Sequence, residues 1–119
     1  MNKLPKRERL NSKIKINNLF VSGKNFRYSN IKVYWNVKSI EGVRSQIMII
    51  VPKKKIALAV KRNKVKRLIK ESYRVNKKIL NLNNQEVNIS FLFLSSEIPK
   101  YNSLEKKIKV ILRRLKDEI

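Results

Sequence analysis

The chain has 119 residues, 42% of them hydrophobic, and it carries 30 Lys and Arg against eight acids, a formal charge of +22. This length and apolar content predict a single domain, 1–119, and the lack of Cys and His excludes disulfides, zinc sites of the usual kind and imidazole catalysis. No apolar run approaches the ~18–20 residues that a membrane span needs, so we expect a soluble, cytoplasmic protein with no membrane partner.

The N-terminal segment predicts a basic arm followed by a helix. Residues 1–10 are rich in Lys and Arg and are expected to form a flexible basic arm. Asn11 or Ser12 can cap a short helix that runs to about Phe20. Gly23 is a natural stop for this helix.

Two strands are predicted next. Residues 30–38, NIKVYWNVK, alternate apolar and polar side chains, which is typical of a strand with one buried face. Residues 41–45 predict a turn. The continuous apolar run at 46–51 predicts a strand that is covered on both faces, and Pro52 ends it.

The C-terminal half predicts a helix from about residue 60 to about Leu80, a strand at 87–94 and a last helix that Ser103 can cap. Five apolar residues of this last helix form one stripe: Leu104, Ile108, Ile111, Leu112 and Leu115. The order of elements fits a two-layer α/β sandwich with a small mixed sheet and about three helices. The strand–helix–strand unit at 46–94 predicts a parallel crossover, which is right-handed in most proteins.

The stretch 59–74, AVKRNKVKRLIKESYR, has an apolar side and an opposite side of one charge sign. On a helical wheel, Glu71 is the only acid of the polar arc. A helix face built for solubility would use Glu–Lys pairs at i,i+4, each worth ~0.3–0.5 kcal/mol, whereas here like charges recur at that spacing. Phosphates would neutralise this repulsion. We interpret the stretch as a nucleic-acid face, extended by Lys53, Lys54 and Lys55 before the helix.

The same stretch resembles the signature of the bacterial ribonuclease P protein subunit. In that signature Ala-Val-x-Arg-Asn-Arg is followed by Lys-Arg and, one turn later, by another basic residue. Six residues match it: Ala59, Val60, Arg62, Asn63, Lys66 and Arg67. Lys64 and Lys70 stand where Arg is usual, and Ala57 where Gly is usual. The flanks RERL, INNLFVSGK, IKVYW and MIIVPKKKIALAV also resemble the family pattern, so the resemblance covers most of the chain.

The resemblance implies a fold, a function and a set of partners. The implied fold is an α/β sandwich whose crossover is left-handed, whereas most strand–helix–strand crossovers are right-handed. The function is that of a subunit of the tRNA-processing endonuclease ribonuclease P, in which the catalytic RNA with bound Mg²⁺ cleaves the 5′ leader from precursor tRNA. The implied partners are the catalytic RNA and precursor tRNA, with no stable protein partner, no tightly bound cofactor and no catalytic residue on this chain.

Two sets of binding residues are predicted. The sequence does not determine whether any residue binds a metal ion. Motif match and the charged face together assign contact with the catalytic RNA to Lys53, Lys54, Lys55, Arg62, Asn63, Lys64, Lys66, Arg67, Lys70 and Arg74. The 5′ leader is assigned to Ile16, Phe20, Lys32, Tyr34 and Asn36. Tyr34 lies on the polar side of its predicted strand between Lys32 and Asn36, and an aromatic ring there can stack on an unpaired base, worth ~1–3 kcal/mol. The family's cleft aromatics match Phe20 and, with a substitution, Ile16; the alternative for both is ordinary core packing.

Three other functions compete with this interpretation. A structural RNA-binding protein of the ribosomal type has similar composition. A protein-only nuclease is disfavoured because the chain has no His and its acids are scattered. A DNA-binding helix-turn-helix is disfavoured by the predicted strands.

Overall fold

The computed structural model describes Leu4 and residues 8–39, 44–82 and 85–119. Its elements are α1 (Lys13–Ser22), β1 (Lys24–Tyr28), β2 (Ile31–Ser39), β3 (Arg44–Ile50), α2 (Ala59–Asn76) with a 3₁₀ turn at Lys77–Leu80, β4 (Gln85–Phe93) and α3 (Tyr101–Glu118). None of the helices in these ranges is long and apolar enough to cross a membrane.

The four strands form one mixed sheet in the order β1-β2-β4-β3. Neighbours β1, β2 and β4 are antiparallel, whereas β3 runs parallel to β4. The predicted α/β sandwich, mixed sheet and parallel crossover through α2 are therefore confirmed, and the left hand of the crossover stays an implication of the resemblance. The prediction missed β1, because its sequence KNFRY buries only Phe26 and shows no run of apolar alternation.

One face of the sheet packs against α2 and α3 and forms the core. The register aligns Ile31 with Phe93, Val33 with Phe91 and Trp35 with Ile89, so alternate residues of β2 and β4 point the same way. The five stripe residues of α3 and Val65, Ile69 and Tyr73 of α2 pack into the same apolar cluster. We call this side of the sheet the α2–α3 face and the opposite side the α1 face.

Tyr73 links α2 to the edge strand β3. Its ring is fully buried and lies 6.2 Å from the ring of Phe91, and its hydroxyl is hydrogen-bonded to the hydroxyl of Ser45. Burial raises the pKa of Tyr73 to about 12, although the Ser45 hydrogen bond opposes this rise.

Three predictions about the elements are wrong in detail. The last helix begins at Tyr101 with Lys100 as its cap residue, because the Lys100 carbonyl accepts a hydrogen bond from the Leu104 amide at 3.0 Å and no Ser103 cap is needed. Strand β3 is an edge strand, so most of its apolar run is only half-buried rather than covered on both faces. Of the predicted turn at 41–45, residues 41–43 lie outside the described residues, and the remainder belongs to β3.

The N-terminal segment is partly attached to the body of the protein. Residues 1–3 and 5–7 of the predicted arm lie outside the described residues. Leu4 and Leu10 are buried, the Leu10 amide donates to the Ile47 carbonyl at 2.7 Å, and Glu8 pairs with Lys77 at 2.7 Å. The described part of the arm is therefore docked beside β3 and the 3₁₀ turn that follows α2.

The Tyr73–Ser45 hydrogen bond gives a stability prediction. Tyr73→Phe leaves the buried Ser45 hydroxyl without its partner, so we expect it to lower the free energy of unfolding by about 1–3 kcal/mol. Adding Ser45→Ala should restore most of this loss, because both hydroxyls are then gone. Urea unfolding of the single and double variants measures the effect, and equal losses in both would contradict it.

The same pair predicts a dependence on high pH. Tyrosine in the unfolded chain titrates near ~10, whereas Tyr73 in the folded chain titrates at about 12. The contribution of the neutral Tyr73 is therefore complete below pH ~10 and is lost as the pH rises through about 12. Relative to Tyr73→Phe, the free energy of unfolding of the wild type should fall as the pH rises from ~10 to about 12. Urea unfolding of both proteins at several pH values measures this difference.

Candidate nucleic-acid interface

The rotation of α2 is set by its buried residues. Val65, Ile69 and Tyr73 are fully buried against the α2–α3 face, which turns the opposite side of the helix outward. Four predicted RNA-binding cations lie on this outward side: Lys64, Lys66, Arg67 and Lys70. All are exposed except Lys66, which is half-buried, and Asn63 is exposed beside them. We call these five residues the α2 basic face.

The cations of the α2 basic face have no carboxylate partner within the ranges that the structure describes. Arg74, also predicted to bind RNA, differs from them. Its guanidinium donates to both carboxylate oxygens of Glu71, at 3.0 and 2.5 Å, which lowers the pKa of Glu71 and raises that of Arg74. The charge of Arg74 is therefore largely balanced within the protein.

Arg62 fixes the loop that precedes α2. Its Nη1 donates to the carbonyl of Ile56 at 3.1 Å and to that of Ala57 at 2.6 Å. Ile56 is buried, and the exposed turn Lys53–Lys55 lies directly before it. The sequence assigns Arg62 to RNA contact alone, but the structure also makes it a brace that holds the lysine-rich turn next to the start of α2.

Arg9 is a member of this surface that sequence reasoning missed. It pairs with Ile47 at the edge of β3, and its Nη2 donates to the Leu4 carbonyl at 3.1 Å. Its buried Nε has no hydrogen-bond partner among the described residues. Burial lowers the pKa of Lys70, and the positive charges of Arg9 and then Lys66 lower it further, so the N-terminal segment adds to the positive field around Lys70. The pairing of the N-terminal segment with β3 brings Arg9 here, and no local sequence pattern reveals such a pairing.

The α1 face of the sheet carries polar residues in rows across the strands. Arg27 of β1 is opposite Lys32, and Tyr34 stands between Asn25 and Ser90. The next row aligns Asn36, Asn88 and Gln46, in register across β2, β4 and β3. This face is therefore basic at one end, aromatic in the middle and rich in amides beyond it.

Helix α1 packs over this polar face. Leu19 is fully buried beneath it, and Lys15 donates to Glu86 at 2.7 Å and to Gln46 at 3.2 Å. Gly23 ends the helix as predicted, though not through a left-handed backbone. A Cβ there would lie 2.2 Å from the Leu19 carbonyl oxygen, so only glycine fits.

Phe20 of α1 and Tyr34 of β2 are in contact on this face of the sheet. Their ring centroids are 4.8 Å apart in an edge-to-face arrangement, and Lys32 Nζ lies 5.1 Å from the centroid of the Tyr34 ring. Phe20 is 39% exposed, so core packing does not account for it. Ile16 is half-buried one turn earlier on α1. We call these four residues and Asn36, two positions beyond Tyr34 on the same face of β2, the aromatic cleft; contacts in the structure join Phe20, Tyr34 and Lys32 of the predicted leader-binding set.

The two surfaces lie on opposite sides of the sheet. The α2 basic face belongs to the helical layer on the α2–α3 face, whereas the aromatic cleft belongs to the α1 face. Across the described ranges, no three acids lie together in a group that could hold a metal ion. The arrangement provides cations for phosphates on one side and rings for unpaired bases on the other.

Comparison with known proteins identifies the family. The family model described as Ribonuclease P matches residues 4–116. The ribonuclease P protein component of Porphyromonas gingivalis is 38% identical over 117 residues, which cover 94% of this chain and 85% of that protein. The chain belongs to the ribonuclease P protein family. The corresponding protein of Borreliella burgdorferi is 34% identical over 106 residues, which cover 88% of this chain and 87% of that protein.

Solved structures of ribonuclease P proteins share the fold. The protein from Thermotoga maritima superposes with a TM-score of 0.72 at 24% identity, covering 91% of this chain and 97% of that chain. The protein from Staphylococcus aureus superposes with a TM-score of 0.68 at 19% identity, covering 92% and 95%. At these identities the likeness shows the fold, and the sequence relatives show the family.

Family membership confirms the predicted function. The chain is the protein subunit of ribonuclease P, with an RNA-binding role in tRNA 5′ processing, and ribonuclease P RNA is its partner. The helix-turn-helix alternative does not fit the fold, because strand β4 separates α2 from α3.

Proposed function

We propose that this chain holds the catalytic RNA of ribonuclease P with its α2 basic face and the 5′ leader of precursor tRNA in its aromatic cleft, and that it acts in the cytoplasm. The observation that carries the proposal is the separation of the two surfaces by the sheet. A protein with its cations on one side and its stacking rings on the other can touch two RNA segments at once. We propose that Arg9, Arg62 and the Lys53–Lys55 turn extend the α2 basic face, and that the aromatic cleft contains the predicted leader-binding set; Arg74, which Glu71 balances, contributes less.

Docking on the catalytic RNA rests on cations that have no internal counterion. Lys64, Arg67 and Lys70 are exposed and lack carboxylate partners in the described structure. Phosphates that replace their bound counterions make binding favourable and dependent on salt. Arg62 can serve both roles, because one of its nitrogens braces the loop and a guanidinium has five N–H donors in total.

Leader binding rests on the two rings of the aromatic cleft, of which Phe20 is exposed and Tyr34 is half-buried. A base that stacks on Tyr34 would replace the edge contact of Phe20, and Lys32 beside the ring can approach the neighbouring phosphate. Stacking tolerates any base, which suits leaders of varied sequence.

The cleavage chemistry is assigned to the RNA and its Mg²⁺ ions. Mg²⁺ in proteins prefers carboxylate and other oxygen ligands. In the described parts of the chain, Glu8, Glu71 and Glu86 are each engaged by Lys or Arg, and no acid cluster is present. These residues do not fit a resident Mg²⁺ site, so the chain contributes binding and orientation.

Reconstitution tests the proposal directly. We expect the chain to stimulate 5′ cleavage of precursor tRNA by ribonuclease P RNA at low Mg²⁺. Gel analysis of the 5′ leader product measures this stimulation. Cleavage by the chain without the RNA would point instead to a protein-only nuclease, and binding without stimulation to a structural RNA-binding role.

Neutralising the α2 basic face should weaken RNA binding. The double change Arg67→Gln and Lys70→Gln removes two phosphate contacts, so the slope of log affinity against log salt should fall by about 1.5–2. Filter binding to ribonuclease P RNA at several salt concentrations gives this slope. The matched control is Lys106→Gln with Arg113→Gln on the exposed side of α3, which removes equal charge elsewhere. Equal effects of the two double variants would contradict the assignment.

Removing the Tyr34 ring should weaken the leader contact alone. In the holoenzyme we expect Tyr34→Ala to reduce affinity for precursor tRNA by about five- to 150-fold, from a stacking loss of ~1–3 kcal/mol. Affinity for mature tRNA should stay unchanged, because it lacks the leader. Tyr28→Ala, which removes a partly exposed ring outside the aromatic cleft, is the control. Equal losses for both tRNAs would remove Tyr34 from the leader site.

A further inference from the structure

The charge that α2 presents to a partner changes at Glu71. Before this residue, the exposed cations from Lys61 to Lys70 have no carboxylate partner in the described ranges. After it, Arg74 donates to both carboxylate oxygens of Glu71, and Lys77 of the 3₁₀ turn pairs with Glu8 at 2.7 Å. The uncompensated positive charge is therefore concentrated on the part of the helix that precedes Glu71.

The ion pair of Glu71 with Arg74 attaches no segment of the chain to another. The ion pairs of Glu8 and Glu86 join residues that are 69 and 71 positions apart, whereas Glu71 and Arg74 lie on adjacent turns of one helix. Their side chains are 37% and 29% exposed. An ion pair exposed to this extent adds little to stability. Its main effect is therefore on the charge that the end of α2 offers to RNA.

A second carboxylate borders the same end of α2. Glu105 of α3 accepts hydrogen bonds from Asn76 Nδ2 at 3.1 Å and from the Tyr101 hydroxyl at 3.4 Å, and Lys109 Nζ lies 4.0 Å from it. Burial raises the pKa of Tyr101, and the negative charges of Glu105 and then Glu71 raise it further. Both carboxylates thus act on one hydroxyl, and together they form an acidic border beside the last turns of α2.

A protein with a charge of +22 attracts RNA of any sequence. Contacts with phosphates supply affinity but carry no sequence information directly. Discrimination can be gained by repulsion that acts only on the wrong partner. A carboxylate among cations has this effect, because it repels any phosphate that is placed beside it.

We propose that Glu71 is a specificity-determining residue, which keeps phosphates away from the C-terminal end of α2 and so disfavours RNA other than ribonuclease P RNA. This inference rests on the proposed docking of the catalytic RNA on the α2 basic face. The catalytic RNA places its phosphates on the cations before Glu71 and leaves Arg74 in its ion pair. An unrelated RNA has no fixed position on the helix, and Glu71 repels it wherever a phosphate approaches the acidic border.

Binding measurements on Glu71→Gln test this role. The substitution removes the negative charge at nearly constant size and makes Arg74 available to phosphates. For a short RNA duplex of unrelated sequence, we expect the affinity to rise about three- to tenfold. The slope of log affinity against log salt should steepen by about 0.7–0.9, which corresponds to one added phosphate contact. The affinity for ribonuclease P RNA should change less than about twofold, so the ratio of the two affinities should fall.

Glu118→Gln is the matched control. Glu118 pairs with Arg114 at 3.9 Å within α3, so this variant removes the same charge from another ion pair inside one helix. It should leave the ratio of affinities unchanged. Adding Arg74→Gln to Glu71→Gln should return binding of the unrelated duplex to the wild-type level, because the cation that Glu71→Gln makes available is then absent.

Three results would overturn the role of Glu71. The first is a ratio of affinities that does not fall in Glu71→Gln. The second is an equal fall in Glu118→Gln, since net charge alone would then explain it. The third is a marked loss of affinity for ribonuclease P RNA or of the thermal midpoint in Glu71→Gln, which would show a direct contact or a structural role. A wild-type chain that binds ribonuclease P RNA no better than the duplex would instead overturn the proposed docking itself.

Discussion

The parallel pairing of β3 with β4 is the constraint from which the binding surface follows. Parallel neighbours cannot be joined by a tight turn, so the chain must cross over the sheet, and α2 is that crossover. Burial of Val65, Ile69 and Tyr73 against the sheet then fixes the rotation of α2. The signature cations face outward because the apolar residues between them are held inward. Core packing of α2 thus places the cations of the signature together on the α2 basic face.

The sheet also keeps two kinds of RNA contact apart. Its α2–α3 face is apolar and closed by two amphipathic helices, whereas its α1 face is polar and covered by one short helix. Leu19 and the Lys15–Glu86 ion pair hold α1 without sealing the aromatic cleft, which leaves Phe20 partly exposed against Tyr34. Phosphate binding and base stacking are therefore placed on opposite sides of one small domain.

Charge in this protein is arranged for a partner rather than for the isolated chain. The few acids mostly serve internal contacts: Glu8 attaches the N-terminal segment to Lys77, and Glu86 attaches α1 to the sheet. On the α2 basic face, by contrast, the positive charges of Arg9 and Lys66 act on Lys70 and help to lower its pKa, after burial. Like charges left together destabilise a free protein and favour a complex in which phosphates lie between them.

The sequence by itself determined the elements with strong periodicity and the family. The stripe of α3, the alternation of β2 and β4 and the one-signed side of α2 each reflect local geometry, in which residues a fixed number apart share a face. The signature around Arg62 and Asn63 pointed to the family because it too consists of residues at fixed spacing along the chain. Only the tertiary structure decided what depends on contacts between distant segments: the edge position of β3, the pairing of β1 with β2, and the charge that Arg9 brings towards Lys70. These features depend on which segments pair across the sheet, and neither periodicity nor motif spacing encodes which partner a strand takes.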